Sequence, residues 1–231
     1  MLQNIKELYG NRMAATDGDI GHVRDFYFDD QSWAIRYVVV NTGSWLTGRL
    51  VLLSPHAFGQ LDRNDQVLLV HLTRKQIEAS PAIGSHRPVS RQFEQEYYDH
   101  YGWPPYWLGG GTWGADAYPV PIAAPSSVST AHHGHNQRDD VHLRSTKDLM
   151  GYTIHATDGR IGTVSGFRID DRSWVIGELA VAAGPWYANR EILLPTAQVA
   201  SICYEDSEVY VNVAKADLQR APEQGVVHAG A

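Results

Sequence analysis

The pentapeptide Asp-Gly-x-Ile-Gly occurs twice in this chain of 231 residues, at Asp17-Gly18-Asp19-Ile20-Gly21 and Asp158-Gly159-Arg160-Ile161-Gly162. Paired glycines could cradle a phosphate through backbone N–H groups. No lysine accompanies them, the spacing is not G-x-G-x-x-G, and no helical pattern follows. The pattern fits a β-turn with positive φ at glycine, followed by a close strand approach. Adjacent acids recur at Asp29-Asp30 and Asp170-Asp171. Two turn carboxylates do not make a Ca²⁺ loop or an acid–base pair, and Asp at a turn caps its own backbone. His132-His133-Gly134-His135 and His142 could take a Zn²⁺ or Ni²⁺ ion weakly, but a polar tract supplies no partner to orient the rings. No Ser-His-Asp or Cys-His grouping is readable. The single cysteine, Cys203, lies in the apolar stretch Ala200–Tyr204 and is expected to be a buried small hydrophobe. No catalytic, cofactor-binding or metal-binding residue is assigned, and the chain is expected not to be an enzyme.

Residues suited to recognition stand out more. Trp45 and Arg49 share one short segment, Trp186 and Arg190 another, and each Trp precedes its Arg by four residues. Trp and Arg are enriched at binding hot spots. Such a Trp either folds back over its own domain with a cation stacked on it, or offers a contact surface. Trp103, Tyr106 and Trp107 in Trp103-Pro104-Pro105-Tyr106-Trp107 complete the candidate interaction residues.

These features sit in a repeat. Ala15–Gly18 returns as Ala156–Gly159, and Asp29–Trp33 as Asp170–Trp174, both at an offset of 141. The offset holds without a gap from Lys6/Lys147 to Pro81/Pro222, with about 25 identities, far beyond chance. Within the first copy, Ile20–Phe28, Trp33–Val40, Arg49–Leu53 and Gln66–Leu72 read as strands separated by turn residues. Thr73-Arg74-Lys75-Gln76 has capping-box chemistry and predicts a short helix ending before Pro81. The second copy predicts strands at 161–169, 174–182, 190–194 and 208–213, then a helical turn at 215–220. Short strands with tight turns and one closing helix point to a small barrel or sandwich.

The intervening segment differs. Nine of the 24 aromatic residues fall between Phe93 and Tyr118, a composition no bare spacer has. Phe93, Tyr97 and Tyr101 fall on one face of a helix predicted over Ser90–Tyr101. The aromatic Pro/Gly-rich stretch 97–119 either packs across both repeats or is exposed for a partner or for self-association. Residues 123–140 are small and polar and read as disordered. The expected organisation is therefore 1–81, a linker at 82–141, 142–222, and a tail at 223–231.

Composition narrows the function classes. The formal charge is −7 and the pI about 5.8, which argues against a basic nucleic-acid footprint. No apolar run of membrane-spanning length occurs, nor an apolar signal core. One cysteine forms no internal disulfide. A soluble, cytoplasmic protein is expected.

The recurring residues also carry a family likeness. Gly10, Ala15-Thr16-Asp17-Gly18-Asp19-Ile20-Gly21-His22-Val23 and Phe26–Asp30 resemble the opening of a PRC-barrel domain. The match recurs at Gly151, Ala156–Val164 and Asp170-Asp171, so both copies are covered. The family is named for the cytoplasmic domain of the photosynthetic reaction-centre H subunit, and includes the C-terminal domain of the ribosome-maturation factor RimM. The resemblance implies an all-β fold of two tandem small barrels, each with a short terminal helix, working by contact with other macromolecules. The opening membrane helix of the H subunit and the N-terminal domain of RimM are not seen, so neither role is carried over. The expected function is a non-enzymatic scaffold or adaptor, with a protein partner or self-association as a homodimer. The alternative is a small-ligand or metal-binding module between the barrels.

Overall fold

The computed structural model describes residues 2–62, 67–81, 89, 91–120, 143–187 and 190–220. The histidine tract, the disorder expected at 123–140 and the tail at 223–231 lie outside the described residues.

The protein is mostly β and forms two seven-stranded sheets. The first is built from β2 (Arg12–Ala15), β3 (Gly18–Asp29), β4 (Ile35–Asn41), β5 (Leu50–Leu53), β6 (Phe58–Asp62) and β7 (Val67–Val70). Their order is β5-β4-β3-β2-β7-β6, antiparallel throughout except for the parallel pair β2·β7. The second has β9 (Thr153–Ala156), β10 (Gly159–Asp170), β11 (Ile176–Ala183), β12 (Glu191–Pro195), β13 (Val199–Cys203) and β14 (Glu208–Val211), in the order β12-β11-β10-β9-β14-β13. Each of these strands starts 141 residues after its counterpart. Among the described residues neither ladder closes on itself: β5 and β6 end one path, β12 and β13 the other. The twelve-residue strands β3 and β10 carry register shifts at corresponding places, Val23/Asp25 and Val164/Gly166. Such bulges bend a strand and strengthen its twist.

Strands β4 and β11 begin at Ile35 and Ile176, not at the tryptophans. Trp33 and Trp174 sit just before them with φ of 58° and 54°. That left-handed conformation closes the hairpin loop. In the first copy the Trp33 N–H donates to the Asp29 carbonyl (2.8 Å), and Asp29 Oδ1 accepts from the N–H groups of Gln31 and Ser32 (2.9 Å each).

The seventh strand of each sheet comes from elsewhere in the chain. β1 (Leu2–Asn4) pairs with β10, and β8 (Leu143–Ser145) pairs with β3. β1 and β8 also stand 141 residues apart, so each copy's opening strand completes the other copy's sheet. The compact units therefore do not follow the repeat boundaries. One comprises Glu7–Ser145 and Arg172–Trp174; the other comprises Met1–Lys6, Thr146–Asp171 and Val175–Ala231. The segment read as a linker belongs, as far as it is described, with the first copy.

Helix α1 (Arg74–Glu78) has the predicted capping box: Thr73 Oγ1 accepts from the Gln76 N–H and Gln76 Oε1 from the Thr73 N–H. Helix α2 (Arg91–Tyr101) fills the predicted 90–101 segment. It ends at Gly102 (φ 65°), where the Gly102 and Trp103 N–H groups donate to the Asp99 and Tyr98 carbonyls. That is the left-handed glycine stop of a helix C-terminus. A short helix α3 (Thr146–Leu149) follows β8, and α4 (Lys215–Arg220) occupies the position of α1 in the second copy.

Candidate functional site

Both Asp-Gly motifs are consumed by architecture. Asp17 Oδ1 accepts from the Arg74 N–H (2.7 Å), and Asp158 Oδ1 from the Lys215 N–H (2.9 Å). The Thr16 and Thr157 N–H groups donate to the carbonyls of Leu72 and Val213 (2.9 Å each). The Thr-Asp pair thus clasps the segment leading into α1 or α4 and caps the helix. The second glycine admits a neighbouring strand: a Cβ on Gly21 would lie 2.0 Å from the Asn41 carbonyl oxygen, and one on Gly162 2.2 Å from that of Ala182. The turn acids are occupied too. Asp30 pairs with Arg144 (3.3 Å), and Asp29 with Arg36 (3.5 Å).

The loop tryptophans are half-buried, and their cations are not the ones the spacing pointed to. Arg74, not Arg49, lies over the Trp45 ring, its Cζ 4.5 Å from the centroid. Arg49 instead donates to the carbonyls of Glu78 (3.0 Å) and Ser80, tying the loop to the end of α1. In the second copy Lys215 Nζ stands 5.7 Å from the Trp186 centroid, and Trp186 Nε1 donates to the Ile161 carbonyl. The Arg190 side chain is exposed, while its backbone pairs with Ala183 and Tyr187. Positions 74 and 215 are again 141 apart, so one cation-over-indole device recurs in both copies.

The richest grouping lies where α2 and the aromatic segment pack into the unit containing the first sheet. Of the predicted face, Tyr97 and Tyr101 are buried and Phe93 is half-buried, and Glu94 and Tyr98 on the adjacent stripe are buried too. Glu94, with no exposed surface, accepts at Oε1 from the hydroxyls of Tyr37 (2.8 Å) and Tyr106 (2.9 Å). Tyr97 accepts from the Ser54 N–H (2.9 Å) and donates to the Leu52 carbonyl (3.2 Å), binding α2 to β5. Arg36 interrupts the apolar run of β4 and is nonetheless buried. Its guanidinium is layered on the rings of Tyr106 (3.7 Å) and Trp113 (5.1 Å), and donates to Ser32 Oγ (3.1 Å) and the Thr112 carbonyl. Burial between aromatic faces is what a delocalised guanidinium tolerates and an ammonium does not.

His56 closes this grouping, within reach of the rings of Tyr98, Trp103 and Trp113. Its Nδ1 lies 3.1 Å from the Val120 carbonyl, which requires the proton on Nδ1. Its buried Nε2 has no hydrogen-bond partner among the described residues. Burial, reinforced by the Arg36 charge, lowers its pKa against the opposing pull of the Val120 carbonyl. Burial likewise pushes the hydroxyls of Tyr37, Tyr97, Tyr98 and Tyr101 well above the ordinary phenol range.

Of the aromatic segment's candidate contact residues, Trp103 and Tyr106 are buried and Trp107 is half-buried. The large exposed apolar side chains of this region are Leu108 (68% exposed) and Tyr118 (56%), within the 97–119 stretch but not singled out there, and Val120 (46%) just beyond it. They flank a tight loop with bridges Gly111–Gly114 and Trp113–Asp116. A Cβ on Gly109 would come within 2.4 Å of the Gly114 backbone. Trp113 pins the loop from below, its Nε1 donating to the Ser173 carbonyl (2.8 Å).

Cys203 departs from expectation. It is half-buried on the edge strand β13, its thiol directed at Asp206 Oδ2 (3.1 Å). An edge strand covers its residues on fewer sides, so an apolar neighbourhood in sequence did not become an interior. Among the described residues no helix is long and apolar enough to cross a membrane, and no group of three or more His, Cys, Asp or Glu is arranged to hold a metal ion. No family model and no curated protein matches the chain.

Proposed function

We propose that the protein is a non-enzymatic scaffold of the tandem PRC-barrel type, which engages another protein through the glycine-bridged loop that follows α2. The observation that carries this reading is the pairing of a rigid base with an apolar rim. Tyr98, Trp103, Tyr106 and Trp113 are buried beneath the segment that displays Leu108, Tyr118 and Val120. Apolar side chains held outward on an ordered loop avoid the entropic cost of ordering at the moment of contact. The PRC-type reading draws on the resemblance of both Asp-Gly segments and on the strand order the two sheets share, each with one parallel pair. The scaffold reading draws on the fate of residues that invited a chemical role: Asp17 and Asp158 cap helices, Asp29 closes a turn, and Gly21 and Gly162 admit a neighbouring strand.

The test is capture from native lysate with full-length protein, comparing wild type with a Leu108→Asp/Tyr118→Asp pair and a Trp45→Ala/Trp186→Ala pair. The expected result is a partner retained by the second pair and lost by the first, with circular dichroism unchanged. A partner lost only by the Trp45/Trp186 pair would move the contact to those loops. No partner in any sample would remove the scaffold reading.

A further inference from the structure

The two borrowed strands occupy grooves of different chemistry. In the second sheet β1 runs antiparallel to the end of β10, pairing Leu2 with Asp170, Gln3 with Ile169 and Asn4 with Arg168. Two glycines shape that groove. A Cβ on Gly177 would sit 3.2 Å from Leu2 Cδ2, and one on Gly166 3.4 Å from Lys6 Cε and 3.8 Å from Asn4 Oδ1. Ile5, directly after the strand, is fully buried. In the first sheet the corresponding positions are Arg36 and Asp25, and the groove is polar. Ser145 Oγ donates to Asp25 Oδ2 (2.6 Å), and Arg144 Nε to Asp30 Oδ2 (3.3 Å). Each groove is thus fitted to one strand: glycine for Leu-x-Asn-Ile-Lys, carboxylate for Leu-Arg-Ser.

We propose that the glycine-lined groove of β10 is a strand-acceptor site that receives Leu2–Lys6 of a second copy, giving a strand-exchanged dimer. The occupant follows from the groove itself, because a second copy presents the identical strand. The cis contact is a three-residue ladder and one buried isoleucine, so it opens locally at far lower free energy than the sheet unfolds. Exchange rebuilds the same hydrogen bonds and the same burial in trans, which is why swapping an identical element is a low-cost route to dimers. The chain already shows the principle, since each sheet takes its seventh strand from the other copy of the repeat. Tethering sets the threshold: trans pairing competes once protein concentration approaches the effective concentration of the tether, on the order of millimolar.

The experiment uses full-length protein on a Cys203→Ser background. Chains carrying Leu2→Cys are mixed with differently tagged chains carrying Asp170→Cys, across a concentration series, and oxidised. The expected result is a disulfide-linked pair bearing both tags, increasing with concentration and abolished by Ile5→Asp in the Leu2→Cys chain. A chain carrying both cysteines controls the geometry and must close on itself in dilute solution. Closure in that control with no mixed-tag pair at any concentration overturns the proposal, as does a mixed-tag pair indifferent to Ile5→Asp. Failure of the control to close overturns the groove assignment and the proposal with it. None of these outcomes bears on the Leu108/Tyr118 loop, whose test is independent.

Discussion

At the residue scale, the informative side chains are polar groups enclosed by aromatic ones. His56 is neutral in the fold, with its proton directed at Val120 and a bare Nε2 facing rings. Its lowered pKa means that the unfolded chain binds the extra proton first. Stability from this residue is therefore complete above the unfolded value of about 6.5 and declines as pH falls below it. Urea midpoints at pH 7.5 and 5.5 should show that decline in wild type and a shallower one in His56→Gln. Glu94 makes the complementary case. Glu94→Leu removes the acceptor of two buried phenols, and each stranded hydroxyl should cost about 1–3 kcal/mol. Urea unfolding of the variant measures the sum, and a loss below that range would mean the hydroxyls find other acceptors. Gly21→Ala should be at least as damaging, since φ is 140° and the new methyl meets the Asn41 carbonyl at 2.0 Å.

At the element scale, short terminal helices are held by distant loops rather than by their own length. Helix α1 has five residues and α4 six, too few to persist alone. Asp17 and Asp158 reach them from turns 57 residues earlier. Asp17→Ala should cost about 1 kcal/mol, and Asp17→Asn much less because an acceptor oxygen remains. Chemical denaturation of both variants decides whether the cap acts through the hydrogen bond. Borrowed strands make a second prediction. Ile5→Asp, although it falls in the first copy, should accelerate amide exchange at the β1-facing edge of the end of β10 in the second sheet, Asp170 excepted because its N–H donates to the Val175 carbonyl, and leave the β8-paired end of β3 unchanged. Hydrogen exchange read by mass spectrometry locates the effect.

At the scale of the whole molecule, the two copies share a framework and diverge in what covers it. Position 37 is a tyrosine bonded to Glu94 in the first sheet; its counterpart Glu178 stands 3.6 Å from Arg168 in the second. The segment after the first copy supplies six buried aromatic side chains to the first unit. Four buried tyrosines with raised pKa give this enclosure a signature. Folded protein holds their protons above the ordinary value of about 10, so stability present below that pH is lost as pH rises beyond it. Spectrophotometric titration should show these four phenols ionising only together with unfolding. Early ionisation of all phenols would mean that the aromatic segment does not stay packed.

Much of this architecture could be read directly from residue types. Alternating and β-branched runs, Asp-Gly turns and the Thr73 capping box are local signals, because turns, strands and caps are decided by neighbours within a few residues. The 141-residue offset likewise placed the strands of one sheet from those of the other. Only the tertiary structure decided which elements complete which sheet: nothing local in Leu2–Asn4 distinguishes pairing with β3 from pairing with β10. The same holds for the cations found over Trp45 and Trp186, Arg74 and Lys215, which come 29 residues later in each copy. Arg36 within an apolar strand and Glu94 among tyrosines were visible anomalies, but a buried charge acquires meaning only from its partners. Those partners lie up to 76 residues away, brought in by packing that no local pattern encodes.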